Sequence, residues 1–141
     1  MNHVAIVYWS GTGNTEKMAQ CIAEGVQDAG GTAALLGPGE FSADNWNEYQ
    51  AVAFGCPAMG AEQLEEGEFE PMFSALEGTL SGKKIALFGS YGWGDGQWMR
   101  EWCQRCSSAQ LYDEDGLILN ESPDADGQET CRELGRGLAR W

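Results

Sequence analysis

The runs "AVAFG" (Ala51 to Gly55) and "KIALFGS" (Lys84 to Ser90) constrain this chain most, because neither alternates apolar with polar residues. A strand with one wet face alternates; a strand covered on both faces reads as a continuous apolar run. Between the two, Phe69, Met72, Phe73, Leu76 and Leu80 follow the i, i+3, i+4 spacing of a helix packed on a sheet. Upstream, "VAIVYW" (Val4 to Trp9) reads as a strand stopped by Ser10-Gly11. A helix capped by Asn14 or Thr15 then runs to about Ala29, with Met18, Cys21, Ile22 and Val26 on one face. "TAALL" (Thr32 to Leu36) is a second strand, followed by a short helix over Ala43 to Tyr49 capped by Ser42. Downstream come a helix over Gly96 to Cys106, a fifth strand in "GLILN", and a closing helix from Asp126 to Arg140. Strand and helix therefore alternate, which predicts an α/β fold: a mostly parallel sheet covered by helices and joined by right-handed crossovers. The length of 141 residues, 43% of them hydrophobic, fits one domain over residues 1–141.

Such sheets bind ligands at the carboxyl ends of their strands, which draws attention to the loops after strands one, three and four. The first, "SGTGNT" (Ser10 to Thr15), opens a helix without a basic residue. Successive backbone N–H groups at a helix start, helped by the helix dipole, hold an anion without a cation. Ser10, Thr12, Asn14 and Thr15 add side-chain donors, and Gly11 and Gly13 let the chain wrap tightly around a phosphate. A nucleoside triphosphate loop would end in Gly-Lys-Ser/Thr, which is missing. A dinucleotide fingerprint would place a third glycine where Glu16 stands and an acid where strand two ends in "LLGPG". The other two loops, "GCPAMGAEQLEE" and "GSYGWGDGQWM", carry Met59 and Trp93 among residues too small or turn-prone to bury them. A flat apolar ligand between a thioether and an indole accounts for both. The three loops together call for a molecule with a phosphate at one end and a planar heterocycle at the other, a shape that flavin mononucleotide (FMN) has.

"YWSGTGNT" (Tyr8 to Thr15), "GCPAMG" (Gly55 to Gly60) with "LEEGEFEP" after it, and "LFGSYGWGDGQWM" (Leu87 to Met99) closely resemble the short-chain flavodoxins of anaerobic bacteria. The resemblance is collinear over essentially the whole chain. It implies a flavodoxin-like three-layer α/β/α sandwich with a five-stranded parallel sheet in order 2-1-3-4-5, and a low-potential one-electron carrier that uses FMN in place of ferredoxin. By the same resemblance the phosphate falls to Ser10, Gly11, Thr12, Gly13, Asn14 and Thr15. The ring falls between Met59 and Trp93, with Glu62 accepting from flavin N3. Pro57, Ala58, Gly60 and Ala61 on one loop, and Ser90, Tyr91, Gly92 and Gly94 on the other, complete the set. The family's peptide after the Met-Gly pair reorients on reduction, so that the Gly60 carbonyl accepts from N5. Ala61 and Pro57 stand where relatives carry other residues, Ala61 offering no side-chain hydrogen bond. No catalytic residue and no metal are expected. The alternatives are a small FMN-dependent reductase acting on a nicotinamide or quinone, and a regulatory module that has lost the chemistry.

Charge narrows the partners. Eight Lys plus Arg against twenty-two Asp plus Glu give a net charge of -14, which repels nucleic acids and anionic membranes. Expected instead are the basic surfaces of redox proteins, low-potential oxidoreductases of the hydrogenase or 2-oxoacid oxidoreductase type among them, docking on a monomer through Glu62, Glu65, Glu66, Glu68 and Glu70. No basic segment followed by an apolar one opens the chain, and no apolar run approaches the ~20 residues of a membrane span, so a soluble cytoplasmic protein is expected. Five cysteines in no framework spacing fit a reducing compartment. Cys103 and Cys106 form a Cys-x-x-Cys but lie inside a helix, with no second pair and no nearby histidine, and read as structural thiols.

Overall fold

The computed structural model describes residues 1–141. Its sheet is parallel, with β1 (His3–Tyr8) between β2 (Thr32–Leu36) and β3 (Ala51–Gly55), and β4 (Lys84–Tyr91) beyond β3. The fifth position is shared by two segments, β5 (Gln110–Leu111) and β6 (Leu117–Asn120), each pairing in parallel with β4. The order is thus 2-1-3-4-5. Four helices cover the sheet: α1 (Asn14–Asp28), α2 (Phe69–Leu76), α3 (Gln97–Arg105) and α4 (Ala125–Arg140).

Every residue of β3 is buried, as the unbroken apolar run requires. Alternate residues serve opposite layers. Val4, Ile6, Ala51, Ala53, Ala86 and Phe88 face α1 and α4, while Ala5, Val7, Val52, Phe54, Ile85 and Leu87 face α2 and α3. The second layer is aromatic: Phe73 meets Phe54 edge to face with centroids 5.3 Å apart and Trp102 at 5.7 Å. The first layer is thin, because Gly25 and Gly135 let α1 and α4 pack backbone to backbone. A Cβ on Gly135 would overlap the carbonyl oxygen of Ile22, and one on Gly25 that of Arg132.

Arg105 ties α2 to α3, its guanidinium lying 2.7 Å from Glu70 and 2.9 Å from Glu77, and 5.0 Å from the Phe73 ring centroid. The hydrogen bond from Arg105 holds the Glu70 carboxyl below its ordinary value, against a burial effect that would raise it.

Two expectations need correction, and one strand is additional. The segment expected to be helical over Ala43 to Tyr49 forms only one 3-10 turn, Trp46–Glu48. Side chains compete there for the backbone: Ser42 Oγ accepts from the Asp44 N–H, and Asn45 Oδ1 accepts from the Ser42 N–H. Helix α1 is capped by Gly13 at φ 99°, not by Asn14 or Thr15, because the tight turn demands the left-handed region before the helix can start. The two-residue β5 was not anticipated; a pairing that short leaves no periodicity to read.

Gly135→Ala is expected to lower stability by about 3 kcal/mol, since two helix backbones must separate to admit the methyl group; denaturant unfolding measures it. Because the Glu70 pKa is depressed in the fold, its contribution is complete above the ordinary value of 4.5 and is lost as pH falls through the lower folded value. Arg105→Gln is expected to flatten that acid limb of the stability profile, read from unfolding midpoints between pH 3 and 6 (about the carboxylate range).

Candidate functional site

The parallel register brings the carboxyl ends of β1, β3, β4 and β6 to one edge, where the chain encloses a cavity of about 410 Å³. Gly11, Thr12 and Asn14 line it from the first loop, Pro57, Ala58 and Met59 from the second, and Ser90, Tyr91 and Gly92 from the third. The volume falls within the usual range for small-molecule sites. None of the lining residues is basic, and one, Glu121, is acidic.

At the first loop, Ser10 Oγ accepts from the N–H groups of Gly13 and Glu16, both at 3.2 Å, which folds the loop over its own side chain. The N–H groups of Gly11, Thr12, Asn14 and Thr15 find no acceptor within the protein. These unpaired donors lie at and just before the start of a fifteen-residue helix, where backbone N–H groups have no partner of their own. The Thr15 hydroxyl is employed differently: it is buried against Ser90 Oγ at 2.9 Å, so the first and third loops are joined by a hydroxyl pair.

The second loop is a tight hairpin in which Met59 and Gln63 exchange backbone hydrogen bonds at 2.9 and 3.0 Å. Gly60 at its tip has φ 47° and Glu62 φ 55°, the latter unusual for a residue with a side chain. Glu62 Oε1 accepts from the Gln97 N–H at 3.2 Å, binding the hairpin to the first turn of α3. The hairpin is anchored at its root by Cys56, whose thiol is pushed up to about 12 by burial and stays protonated.

Trp93 is 68% exposed on the third loop and does not line the cavity, whereas Met59 does. Ser10, Gly13, Thr15, Gly60, Ala61, Glu62 and Gly94 likewise stand behind or beside the lining. Three lining residues were not foreseen: Trp9, Glu121 and Ser122. Trp9 had a signal in the sequence, as the residue directly between a strand end and the anion loop. Glu121 and Ser122 had none, because they reach the cavity only through the pairing of β6 with β4.

The acidic run beside the hairpin divides by role. Glu65 accepts from the N–H groups of Gly67, Glu68 and Phe69, all at 2.8 Å, and so caps the start of α2. Burial pushes its carboxyl up, and these three donors outweigh that and bring it below the ordinary value. Glu70 is held by Arg105, while Glu66 and Glu68 are exposed. Elsewhere, burial raises the Cys103 thiol to about 11 and the Cys106 thiol to about 12, which keeps both protonated. No group of three or more His, Cys, Asp or Glu is placed to hold a metal ion, and no helix is long and apolar enough to cross a membrane.

The flavodoxin family model matches residues 6–135. A flavodoxin of Clostridium beijerinckii is 44% identical over 95% of this chain and 97% of its own, and one of Megasphaera elsdenii is 44% identical over 97% and 98%. The solution structure of the two-electron reduced Megasphaera elsdenii flavodoxin superposes with a TM-score of 0.87 over 98% of this chain and 99% of its own. Sheet order, loop chemistry and these matches agree: the chain belongs to the flavodoxin family, and it is a low-potential electron-transfer protein that carries FMN, not an enzyme.

Proposed function

We propose that the cavity at the strand ends is the FMN site, with the phosphate at the loop Ser10 to Thr15 and the flavin between the second and third loops. The observation that carries this reading is the set of four backbone N–H groups without an acceptor, at Gly11, Thr12, Asn14 and Thr15, three of them on residues that line a cavity with no cation. Those donors fit a phosphate, and Met59, Ala58, Pro57 and Tyr91 offer an apolar lining for a ring. When bound, FMN supplies one-electron transfer at low potential. The chain supplies the rest. Ser10 keeps its own O–H free to donate after accepting twice, Gly13 and Gly60 occupy the turn conformations, and Trp93, exposed on the third loop, is the side chain we assign to the ring's outer side. With no basic residue in the lining and a net charge of -14, added negative charge inside the cavity is opposed, which favours a low potential.

As partners we infer basic faces of redox proteins, low-potential oxidoreductases of the hydrogenase or 2-oxoacid oxidoreductase type. The exposed carboxylates Glu66 and Glu68 beside the hairpin support this.

FMN added to the ligand-free protein is expected to bind one to one, and riboflavin about 100-fold more weakly, since it leaves the anion donors unused; fluorescence titration of both flavins decides it, and equal affinities would remove the phosphate assignment. Replacing Glu66 and Glu68 by Gln is expected to slow electron delivery to a basic haem protein several-fold at low salt and to have no effect at high salt. Glu65→Ala, by contrast, is expected to cost about 1 kcal/mol of stability through loss of the α2 cap, measured by denaturant unfolding.

A further inference from the structure

The second loop leaves the sheet at Cys56, and its hydrogen bonds are completed from an unexpected side. The Cys56 N–H donates to the Phe88 carbonyl at 3.1 Å and the Ala58 N–H to the Ser90 carbonyl at 3.0 Å, continuing the ladder with β4. The Cys56 carbonyl takes its donor from outside the ladder: the indole N–H of Trp98, buried, at 3.1 Å. Gly89 makes room for this contact. A Cβ there would overlap the Cys56 carbonyl oxygen and stand 3.2 Å from the Trp98 ring. The next residue up the same helix turn, Gln97, gives its N–H to Glu62 at the far end of the loop. The Trp98 ring also supports Tyr91 on the third loop, with centroids 5.8 Å apart. Trp98 itself is 2% exposed and does not line the cavity.

We infer that Trp98 is a positioning residue for the FMN site: its indole N–H, with the Gln97 N–H beside it, fixes both ends of the hairpin Pro57 to Glu62 to the first turn of α3. The inference rests on the cavity being the FMN site. Its energetic basis is the cost of leaving a buried carbonyl without a donor, which falls on the root of the hairpin and not on the sheet core. A hairpin released at its root samples conformations in which Met59 and Ala58 no longer line the cavity, and binding is weakened by the fraction of time spent there.

The test is Trp98→Phe, which keeps an aromatic ring and removes the donor. The dissociation constant for FMN is expected to rise about 5- to 30-fold, and that for riboflavin by the same factor. Affinity for inorganic phosphate at the first loop stays unchanged, and the visible circular dichroism of bound FMN changes because the ring's surroundings change. A wild-type flavin affinity and spectrum in the variant overturn the inference, as does an equal loss of flavin and phosphate affinity, which marks general destabilisation. Where the unmutated protein binds flavin with no preference for FMN, the cavity assignment fails instead, and Trp98 with it. Should the variant not fold, hydrogen exchange at the Trp98 indole of the unmutated protein decides. Slower exchange when FMN is added supports the positioning role, and an equal rate with and without FMN overturns it.

Discussion

The site depends first on the sheet's dry centre. Because β3 is buried on both faces, each of its residues must be apolar or small, and no polar group can be placed along its length. Chemistry is therefore displaced to the strand ends, and the parallel register gathers those ends at one edge. Peptide groups leaving a sheet lose their ladder partners and must find others. At Gly11, Thr12, Asn14 and Thr15 the N–H groups are left without a partner in the fold. At Cys56 they are satisfied by Trp98, and at Met59 and Gln63 by each other. One loop is open to a ligand and the next is held closed against the fold, a division that follows from where each carbonyl and N–H finds its partner.

The two helical layers contribute unequally. The aromatic layer under α2 and α3 is thick, and from it Trp98 rises to the second loop and supports Tyr91 on the third. The opposite layer is thin, with Gly25 and Gly135 bringing α1 close to α4, and α1 carries the loop Ser10 to Thr15 at its amino end. The hydroxyl pair of Thr15 and Ser90 is the bridge between these halves, buried at the level where β1 and β4 end. The first and third loops are thus joined by a hydrogen bond between side chains, in addition to the sheet itself.

What the sequence disclosed followed the strength of its local signals. The continuous runs at Ala51 and Lys84 fixed the centre of the sheet, and the helix faces at Met18 and Phe69 followed from spacing alone. The loop Ser10 to Thr15 stood out because its glycines and hydroxyls lie in consecutive residues. Glu121 and Ser122 were not, since only the long-range pairing of β6 with β4 carries them to the cavity. The expected helix at Ala43 failed where Ser42 and Asn45 offered the backbone a local alternative that no periodicity registers. The acidic run misled in a different way: a charge count cannot separate Glu65, consumed in capping α2, from Glu66, which faces solvent.

Backbone strain is concentrated at the same edge. The two residues with side chains that adopt positive φ, Glu62 at 55° and Glu121 at 56°, both belong to loops around the cavity. For a residue other than glycine this conformation costs of order 1 kcal/mol or more, and it persists only where neighbours over-determine it. Each has such neighbours. Glu62 is held by the Gln97 N–H through its carboxylate, and Glu121 donates its own N–H to the Tyr91 carbonyl at 2.7 Å, with the Asn120 side chain donating to the same oxygen at 3.2 Å. Both constraints lead to segments around the third loop: the Tyr91 carbonyl directly, and Gln97 just beyond Gly96. That loop, supported from below by Trp98, is consequently the common fastening point for the strained residues on either side of the cavity. Glu62 is tied through its carboxylate and Glu121 through its own N–H, each to a neutral backbone group, whereas Asp95 on the third loop pairs with Arg100 at 3.0 Å.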